Sequence, residues 1–389
     1  MLKCSKRGDI ASFLAMEVLT EANRLGRMGK DIIHLEAGEP AMGPPAAAIA
    51  AASATLDGRR HGYTTAMGMP VLRQGLATHY ADYYGLPLEA DRIAITAGAS
   101  AGLVLALLAA FDAGDHVAFA EPGYPAYRNA LQALGIETVP ILTELETGFQ
   151  PTPAHLDALD RPLDGLVIAS PANPTGSMFK RDELEQLARY CDDNGIRLIA
   201  DEIYHGITFG QPAETALHFT NDAIVINSFS KYYCMTGWRV GWMVLPTELI
   251  APVSRLSANL YIAPSTISQQ AALGALDARD ELRSRIQTYH SNRDHLLETL
   301  REVGIERIAP AEGAFYLYAD VSKFTDNSVA FCRQILDEVE IAMTPGIDFD
   351  QGRGHHYVRL SFAGAPDMID AATRRLRAWF DRTERRRAA

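Results

Sequence analysis

Short apolar runs alternate with longer segments of helical spacing over most of the chain. The runs Ile93–Thr96, Leu166–Ala169 and Arg197–Ala200 are nearly continuous in apolar residues, which is typical of strands covered on both faces. Segments such as 181–194 then show the spacing of an amphipathic helix. This alternation predicts βαβ units, and therefore an α/β fold in which a mostly parallel central sheet lies between two layers of helices.

The regular alternation ends where a long helical segment begins near Asp280 and continues toward Val303. The segments after it predict short strands and helices without βα order. We therefore predict a large domain over residues 45–285 and a smaller α+β domain formed by residues 1–44 together with 286–389.

Composition narrows the classes of function. The chain has 389 residues, of which 48% are hydrophobic and 22% charged, as expected for a globular protein with a large core. Its formal net charge of −12 argues against a nucleic-acid partner, and no apolar run is long enough for a membrane span or a signal peptide. The cysteines lack metal-ligand spacing, so we expect reduced thiols, no bound metal and a cytoplasmic location; they are Cys4, Cys191, Cys234 and Cys332.

Polar side chains follow three predicted strands at the point where each strand ends. Asn173 follows 166–169, Asp201 follows 197–200, and Lys231 follows the apolar run 223–226. The carboxyl ends of parallel strands meet at one edge of a sheet, where ligands bind in open α/β folds. Each residue alone has a plainer interpretation, since an asparagine can form a turn, an aspartate can cap a helix and a lysine is usually a solvated charge.

Two features near this edge could hold an anion. Ala99 and Ser100 lie where a glycine-containing turn opens a helix, and helix N-terminal amides attract negative charge. Ser228, Ser230 and Arg239 add two hydroxyls and a fixed cation around Lys231. An amine, an acid and an anion site together match what pyridoxal phosphate requires, although a glycine turn can also serve chain geometry alone.

Several motifs, in this order, resemble those of the class I/II aminotransferases, which are fold-type I pyridoxal-phosphate-dependent enzymes. They are Gly38-Glu-Pro40, Asn173-Pro-Thr-Gly176, Asp201-Glu-Ile-Tyr204, Ser228-Phe-Ser-Lys231, Gly237-Trp-Arg239 and Tyr357-Val-Arg-Leu-Ser361. The resemblance covers almost the whole chain. It implies an aspartate-aminotransferase-like fold, with a three-layer large domain that binds pyridoxal 5′-phosphate and a small domain that closes on the substrate.

The resemblance also assigns roles around the cofactor ring. Lys231 is expected to form the Schiff base and then to move a proton between the substrate α-carbon and the cofactor. Asp201 is expected to face the pyridine nitrogen, and Asn173 and Tyr204 to hydrogen-bond the phenolic oxygen. Tyr124 resembles the aromatic residue that stacks on the ring, although it could equally be a packing residue.

The remaining roles concern the phosphate and the substrate. The resemblance gives the phosphate to a set of backbone amides, hydroxyls and one guanidinium: Ala99, Ser100, Ser228, Ser230 and Arg239. Tyr63 resembles the tyrosine that reaches the phosphate of a neighbouring subunit, which implies a homodimer with shared active sites. Arg359 matches the arginine that binds the substrate α-carboxylate, with Gly38 and Asn173 beside it.

Some residues depart from the family pattern. Ala41 stands where an acidic or amide residue is frequent, and Asp350 where a glycine commonly follows Pro-Gly-x-x-Phe. Ser100 stands where some dicarboxylate-preferring relatives carry lysine. We expect His34 and His205 to make local hydrogen bonds rather than to act in catalysis.

The leading hypothesis is an aminotransferase of amino-acid metabolism that moves an amino group between an L-amino acid and a 2-oxo acid by a ping-pong mechanism. The alternative is a C–S β-lyase or a related α,β-eliminating enzyme, because the same carbanion can expel a β-substituent. A non-catalytic pyridoxal-phosphate-binding regulator is a third hypothesis. The sequence does not identify the donor or the acceptor.

Overall fold

The computed structural model describes residues 2–58 and 61–388, and three β-sheets organise them. The strands are β1 (Ile33–His34), β2 (Ile93–Thr96), β3 (His116–Glu121), β4 (Glu137–Leu142), β5 (Gly165–Ala169), β6 (Arg197–Asp201), β7 (Ile224–Ser228), β8 (Gly241–Val244), β9 (Tyr316–Asp320), β10 (Ile341–Ala342), β11 (Thr344–Pro345) and β12 (Tyr357–Ser361). The helices are α1 (Leu14–Arg27), α2 (Ala46–Ser53), α3 (Pro70–Tyr84), α4 (Ala99–Ala110), α5 (Pro125–Leu134), α6 (Pro153–Asp157), α7 (Arg181–Asp193), α8 (Thr247–Leu260), α9 (Thr266–Ala275), α10 (Arg279–Glu302), α11 (Ser328–Val339) and α12 (Pro366–Ala388).

The largest sheet has seven strands in the order β2-β8-β7-β6-β5-β3-β4. Only β8 runs against the others, because it pairs antiparallel with both β7 and β2. The predicted α/β class with a mostly parallel sheet is therefore confirmed. The ends of β5, β6 and β7 lie side by side, since Ala169 pairs with Asp201, and Asp201 with Ile226.

Both faces of this sheet are covered by apolar packing. Along β5, Leu166 and Ile168 belong to one buried cluster and Val167 belongs to another on the opposite face. Successive strand residues point to opposite faces, so a continuous apolar run is what a strand between two helical layers needs. The buried strands fix the sheet, and their polar ends are left at its edge.

A smaller antiparallel sheet of order β11-β12-β9 carries Arg359 in its central strand, opposite Thr344 and Tyr318. The pattern over 341–344 predicts one strand, but the structure divides it. β10 pairs with β1, whereas β11 pairs with β12. The buried Met343 lies between the two halves, and each half extends a different sheet.

In the described part of the chain, no helix has the length and apolar character needed to cross a membrane.

The first long helix begins later than its apolar pattern suggests, at Leu14 rather than near Ile10. Its first amides bind a distant carboxylate: Asp348 Oδ1 accepts from Leu14 N at 3.2 Å and Oδ2 accepts from Ala15 N at 3.0 Å. Phe13, at the capping position, makes no side-chain cap hydrogen bond. A carboxylate at a helix N-terminus satisfies unpaired amides and interacts favourably with the helix dipole, so Asp348 determines where α1 starts.

We expect Asp348→Ala to lower the free energy of unfolding by about 1–2 kcal/mol, because it leaves the α1 amides without their buried acceptor. Denaturant titration followed by circular dichroism measures the change. Glu17→Ala is the matched control, since Glu17 is an exposed acid in the first turn of the same helix and should cost no more than about 0.5 kcal/mol. Equal losses in the two variants would contradict a specific capping role.

Candidate active site

Lys231 lies in the loop after β7, where its side chain reaches across to the N-terminal segment. Its Nζ donates a hydrogen bond to the carbonyl oxygen of Gly38 at 2.5 Å. Burial, with the positive charge of Arg359 adding to it, lowers the pKa of Lys231 to about 8. A lysine with this pKa carries a useful fraction of neutral amine near neutral pH, which is the form that can act as a nucleophile or a base.

Gly38 is enclosed on its open side by an aromatic hydroxyl. A Cβ atom at Gly38 would lie 2.0 Å from Tyr316 Oη, so no larger residue fits while Tyr316 keeps its position. Tyr316 Oη in turn lies 2.8 Å from Tyr204 Oη, and both tyrosines are buried. The lysine, the glycine and two phenols are thus in one contiguous group.

Arg359 is the most deeply buried cation of the site, with 2% of its surface exposed. Its Nη1 donates to Asn173 Oδ1 at 2.9 Å, and its Nη2 donates to the carbonyl oxygen of Glu36 at 2.5 Å and to Thr344 Oγ1 at 3.2 Å. All three acceptors are neutral. Among the described residues, none forms an ion pair with Arg359, and its Nε has no hydrogen-bond partner.

Two aromatic rings support the guanidinium of Arg359. Its Cζ lies 4.4 Å from the ring centroid of Tyr316 and 4.8 Å from that of Phe349. Such contacts hold the planar group in one orientation, and they stabilise it less than a carboxylate partner would. A buried, oriented guanidinium without a counter-ion is a site for an anion, and its fork matches a carboxylate.

Asp201 ends β6 and is 8% exposed. Its Oδ2 accepts a hydrogen bond from Tyr127 Oη at 2.6 Å, and its Oδ1 accepts one from Ile203 N at 3.1 Å. Burial raises the pKa of Asp201, and the hydrogen bonds from Tyr127 and Ile203 oppose that rise. The carboxyl group is therefore held in one orientation by a phenol and a backbone amide.

The start of α4 forms one half of the predicted anion site. Gly98 precedes the helix with φ of +81°, and no side chain caps the first amides of Ala99 and its successors. A Cβ atom at Gly98 would lie 2.5 Å from Arg239 Nη2, so the guanidinium packs directly against this turn. Ser100 follows as an exposed residue in the first turn of the helix.

The other half of the anion site is a hydroxyl pair after β7. Ser228 Oγ lies 2.9 Å from Ser230 Oγ and donates to Val240 O at 3.0 Å. Arg239 Nη1 lies 3.5 Å from Ser230 Oγ and donates to Thr236 O at 2.9 Å. Free helix amides, two hydroxyls and a guanidinium surround a turn in which only glycine fits. This donor set suits a phosphate group.

Tyr124 and Tyr63 differ in their surroundings. Tyr124 is partly buried, its ring lies edge-on to Phe13 at 5.8 Å and to Tyr127 at 5.5 Å, and burial raises its pKa to about 12. Tyr63 is 82% exposed, so a single chain does not enclose it in the site.

Two histidines make local hydrogen bonds. His34 Nδ1 lies 2.7 Å from Glu36 Oε1, and His205 Nε2 lies 2.9 Å from the carbonyl oxygen of Ser170. The unusual Asp350 binds the backbone of its own turn, accepting from Arg353 N at 2.8 Å.

Sequence reasoning missed three aromatic residues of the site: Tyr127, Tyr316 and Phe349. Each lies in a segment where an aromatic side chain normally serves as core packing. Phe349 belongs to the Pro-Gly-x-x-Phe pattern, but that pattern does not place its ring against Arg359. Only the tertiary contacts with Asp201 and Arg359 identify them.

Comparisons with known proteins agree over nearly the full length. The family model described as aminotransferase class I and II matches residues 30–376. The chain is 46% identical over 377 residues to a valine–pyruvate aminotransferase of Mycobacterium tuberculosis, covering 96% of this chain and 97% of that one.

Solved structures give the same result. The fold superimposes with a TM-score of 0.96 on the crystal structure of an aminotransferase from Mycobacterium tuberculosis, at 45% identity, covering 98% of this chain and 100% of that one. It matches aspartate aminotransferase from Thermus thermophilus with maleate at a TM-score of 0.91 and 29% identity, covering 97% and 100% of the two chains. The predicted aspartate-aminotransferase-like fold is thereby confirmed.

We expect Tyr127→Phe to weaken the binding of pyridoxal phosphate by about tenfold or more, because Asp201 loses a charged hydrogen bond and its pKa rises further. Titration of the cofactor-free protein, followed by absorbance, measures the affinity. Tyr83→Phe serves as the control, since Tyr83 is 43% exposed on α3. A lower melting temperature with unchanged affinity would make Tyr127 a packing residue only.

Proposed function

The chain belongs to the aminotransferase class I and II family, and we propose that within this family it moves the amino group of a branched aliphatic L-amino acid, such as valine, to pyruvate. As a pyridoxal-phosphate-dependent aminotransferase, it moves an amino group between an L-amino acid and a 2-oxo acid in two half-reactions at one site. The observation that carries the choice of substrates is the 46% identity to a valine–pyruvate aminotransferase over 96% of the chain. Ser100, where dicarboxylate-preferring relatives carry lysine, also favours an uncharged donor side chain.

Bound pyridoxal phosphate supplies an electron sink for the negative charge that develops on the substrate Cα when its proton leaves. We propose that Asp201 binds the ring nitrogen and keeps it protonated. In the same proposal Asn173 and Tyr204 bind the phenolic oxygen, and Tyr124 covers the ring face. The phosphate is bound by a set of amides, hydroxyls and one guanidinium: Ala99, Ser100, Ser228, Ser230 and Arg239.

Lys231 is proposed as the residue that bonds to the cofactor and, after its release, takes the proton from the substrate Cα. Burial supports this role because it lowers the lysine pKa to about 8 and so favours the neutral amine. The hydrogen bond to Gly38 O keeps the side chain extended toward the site when it is not bonded elsewhere.

Arg359 is proposed to bind the substrate α-carboxylate, which provides the counter-ion that the guanidinium lacks. Asn173 bonds to the same guanidinium and so couples the cofactor and substrate positions. Gly38 contributes backbone at a place where a side chain would collide with Tyr316.

We also propose the division into a cofactor-binding domain over 45–285 and a substrate-closing domain over 1–44 with 286–389. Core packing supports it, because Leu282 near the start of α10 packs with the large sheet whereas Tyr289, two turns later, packs with the small one.

A homodimer with shared active sites is the proposed assembly, and Tyr63 is its proposed contribution to the neighbouring phosphate site. Tyr63 is 82% exposed. Two large apolar residues are exposed as well, Leu260 at 57% and Ile262 at 50%. The loop that carries Tyr63 lies next to the segment that follows α8, since Thr266 Oγ1 donates to Gly62 O at 2.8 Å.

The four free thiols are in keeping with a cytoplasmic location, which we propose on that basis.

The function is tested by mixing the holoenzyme with L-valine alone. We expect one equivalent of 2-oxo acid per active site and loss of the cofactor's visible absorbance, followed by alanine formation when pyruvate is added. Valine should exceed aspartate in kcat/KM by at least about tenfold. Catalytic release of pyruvate and ammonia from a cysteine conjugate would instead favour β-elimination.

Two variants serve as controls for this experiment. Lys231→Ala should abolish the valine half-reaction. Arg359→Lys should keep the cofactor bound while raising the KM for every amino donor, because a point charge cannot replace the bidentate fork. Valine turnover no better than that of aspartate would overturn the substrate assignment while leaving the family unaffected.

Shared active sites predict complementation between two defective chains. Lys231→Ala and Tyr63→Ala are each expected to have low activity on their own. After random exchange in an equal mixture, half of the dimers contain one chain of each variant, and each of these mixed dimers has one intact site of two. The mixture should therefore recover up to about a quarter of wild-type activity. Reassociation after mild denaturation, followed by the transamination assay, measures recovery. Mixtures that gain nothing, although chain exchange is shown by differential tagging, would contradict the proposed role of Tyr63.

A further inference from the structure

Two buried titratable residues behind Asp201 have no part in the proposed mechanism. Glu202 follows Asp201 directly and is 2% exposed, and His205 lies in the next turn and is 6% exposed. Adjacent residues at a strand end point to opposite sides, so Glu202 faces away from Asp201, toward α3 and the loop that contains Thr215.

The hydrogen bonds of His205, together with its burial, indicate which ring nitrogen carries the hydrogen. Nε2 lies 2.9 Å from Ser170 O, and a carbonyl oxygen only accepts, so Nε2 carries the hydrogen. Burial lowers the pKa of His205 to about 3, so the ring is neutral and Nδ1 has a lone pair. Tyr84 Oη, 2.7 Å from Nδ1, must therefore donate.

Glu202 lies beside this hydrogen bond between Tyr84 and His205. Its Oε1 accepts from Thr215 Oγ1 and Ala216 N, both at 2.9 Å. Its Oε2 is buried, has no hydrogen-bond partner among the described residues and lies 3.5 Å from His205 Nδ1. Both donors are on Oε1, which is therefore the carbonyl oxygen of the acid, and Oε2 is the oxygen suited to carry a proton. An ionised Oε2 would be a buried charge with no donor to compensate it, and protonation removes that charge.

We infer that Glu202 is an uncharged carboxylic acid with its proton on Oε2 beside His205, and that the two are positioning residues for the catalytic edge. The inference rests on the proposed roles of Asp201 and Asn173. His205 holds Ser170 O, from which the chain continues to Asn173, and Glu202 anchors the end of β6 next to Asp201. An uncharged Glu202 leaves Asp201 as the one carboxylate charge at this end of β6, so no neighbouring charge favours its protonation.

Burial, with the charge of Asp201 adding to it, raises the pKa of Glu202 to about 8. The other titratable groups around the pair come from α3, from the loop after β7 and from the loop before Thr215: His79, Tyr80, Tyr83, Tyr84, Tyr232, Tyr233 and Glu214. Burial lowers the pKa of His79 to about 4 and raises the pKa of these tyrosines, so these groups are neutral near pH 7. Glu214 is paired with Arg181 at 2.8 Å.

The sign of the pH effect follows from linkage. An acid that ionises near pH 4.5 in the unfolded chain and near pH 8 in the folded protein keeps its proton longer when folded. Its contribution to stability is therefore complete below pH 4.5 and declines as the pH rises toward 8. Glutamine cannot ionise and has nearly the same shape as the uncharged acid, so Glu202→Gln should lack this decline.

The first experiment compares the denaturation midpoints of wild-type and Glu202→Gln holoenzymes between pH 5 and 8.5. We expect the wild type to lose stability relative to Glu202→Gln as the pH rises. A difference that does not change with pH would overturn the inference, because Glu202 would then be ionised throughout. This outcome does not depend on which amino acid is the donor, so it is distinguishable from failure of the proposed function.

The second experiment tests positioning with His205→Phe, which keeps a ring but removes the donor to Ser170 O. We expect the KM for the amino donor to rise about tenfold, because Asn173 no longer holds Arg359 in place, with the cofactor still bound. Glu214→Gln is the control, since it removes a charge from the same cavity without touching His205 Nδ1. A lower melting temperature with unchanged KM in His205→Phe would make the histidine purely structural and overturn the positioning role.

Discussion

The active site depends on a guanidinium that is buried without a counter-ion. Removing a charge from water costs several kcal/mol, and the neutral acceptors around Arg359 repay only part of that cost. The rest of this desolvation cost is tolerated because the guanidinium is held in place. Arg359 lies on a strand paired on both sides, its guanidinium packs on two aromatic rings, and it donates to the Asn173 amide oxygen. In the proposed function a substrate carboxylate would supply the missing interaction, so recognition would use free energy that folding has already committed.

The same cation influences the chemistry next to it. Its charge contributes to the depressed pKa of Lys231, while the buried edge of the large sheet removes the water that would favour the ammonium. Arg359 comes from the small sheet and Lys231 from the loop after β7 of the large one. The N-terminal segment contacts both, since Glu36 O accepts from Arg359 and Gly38 O accepts from Lys231. The proposed substrate binding and the lowered pKa of the lysine are therefore properties of one assembled group rather than of two separate motifs.

The α/β fold and several polar residues at the edge of the large sheet could be predicted from the sequence, because the carboxyl ends of parallel strands lie at the same edge of a sheet. Asn173, Asp201 and Lys231 follow apolar runs, and their convergence could be anticipated from that alone. Tyr127 and Tyr316 could not, since an aromatic residue in a helix or strand has the same local pattern whether it packs or hydrogen-bonds. The start of α1 was also hidden, because its cap is 334 residues away in the chain. The split between β10 and β11 depends on partners that a local pattern does not contain.

The contact between Gly38 and Tyr316 limits the order in which this site can change during evolution. A Cβ atom at position 38 would lie 2.0 Å from the phenol oxygen, so a substitution there requires Tyr316 to move or to become smaller. Shrinking Tyr316 in turn removes the partner of Tyr204 and one support of Arg359. A change at position 38 is therefore coupled to position 316, and through it to the contacts of Tyr204 and Arg359.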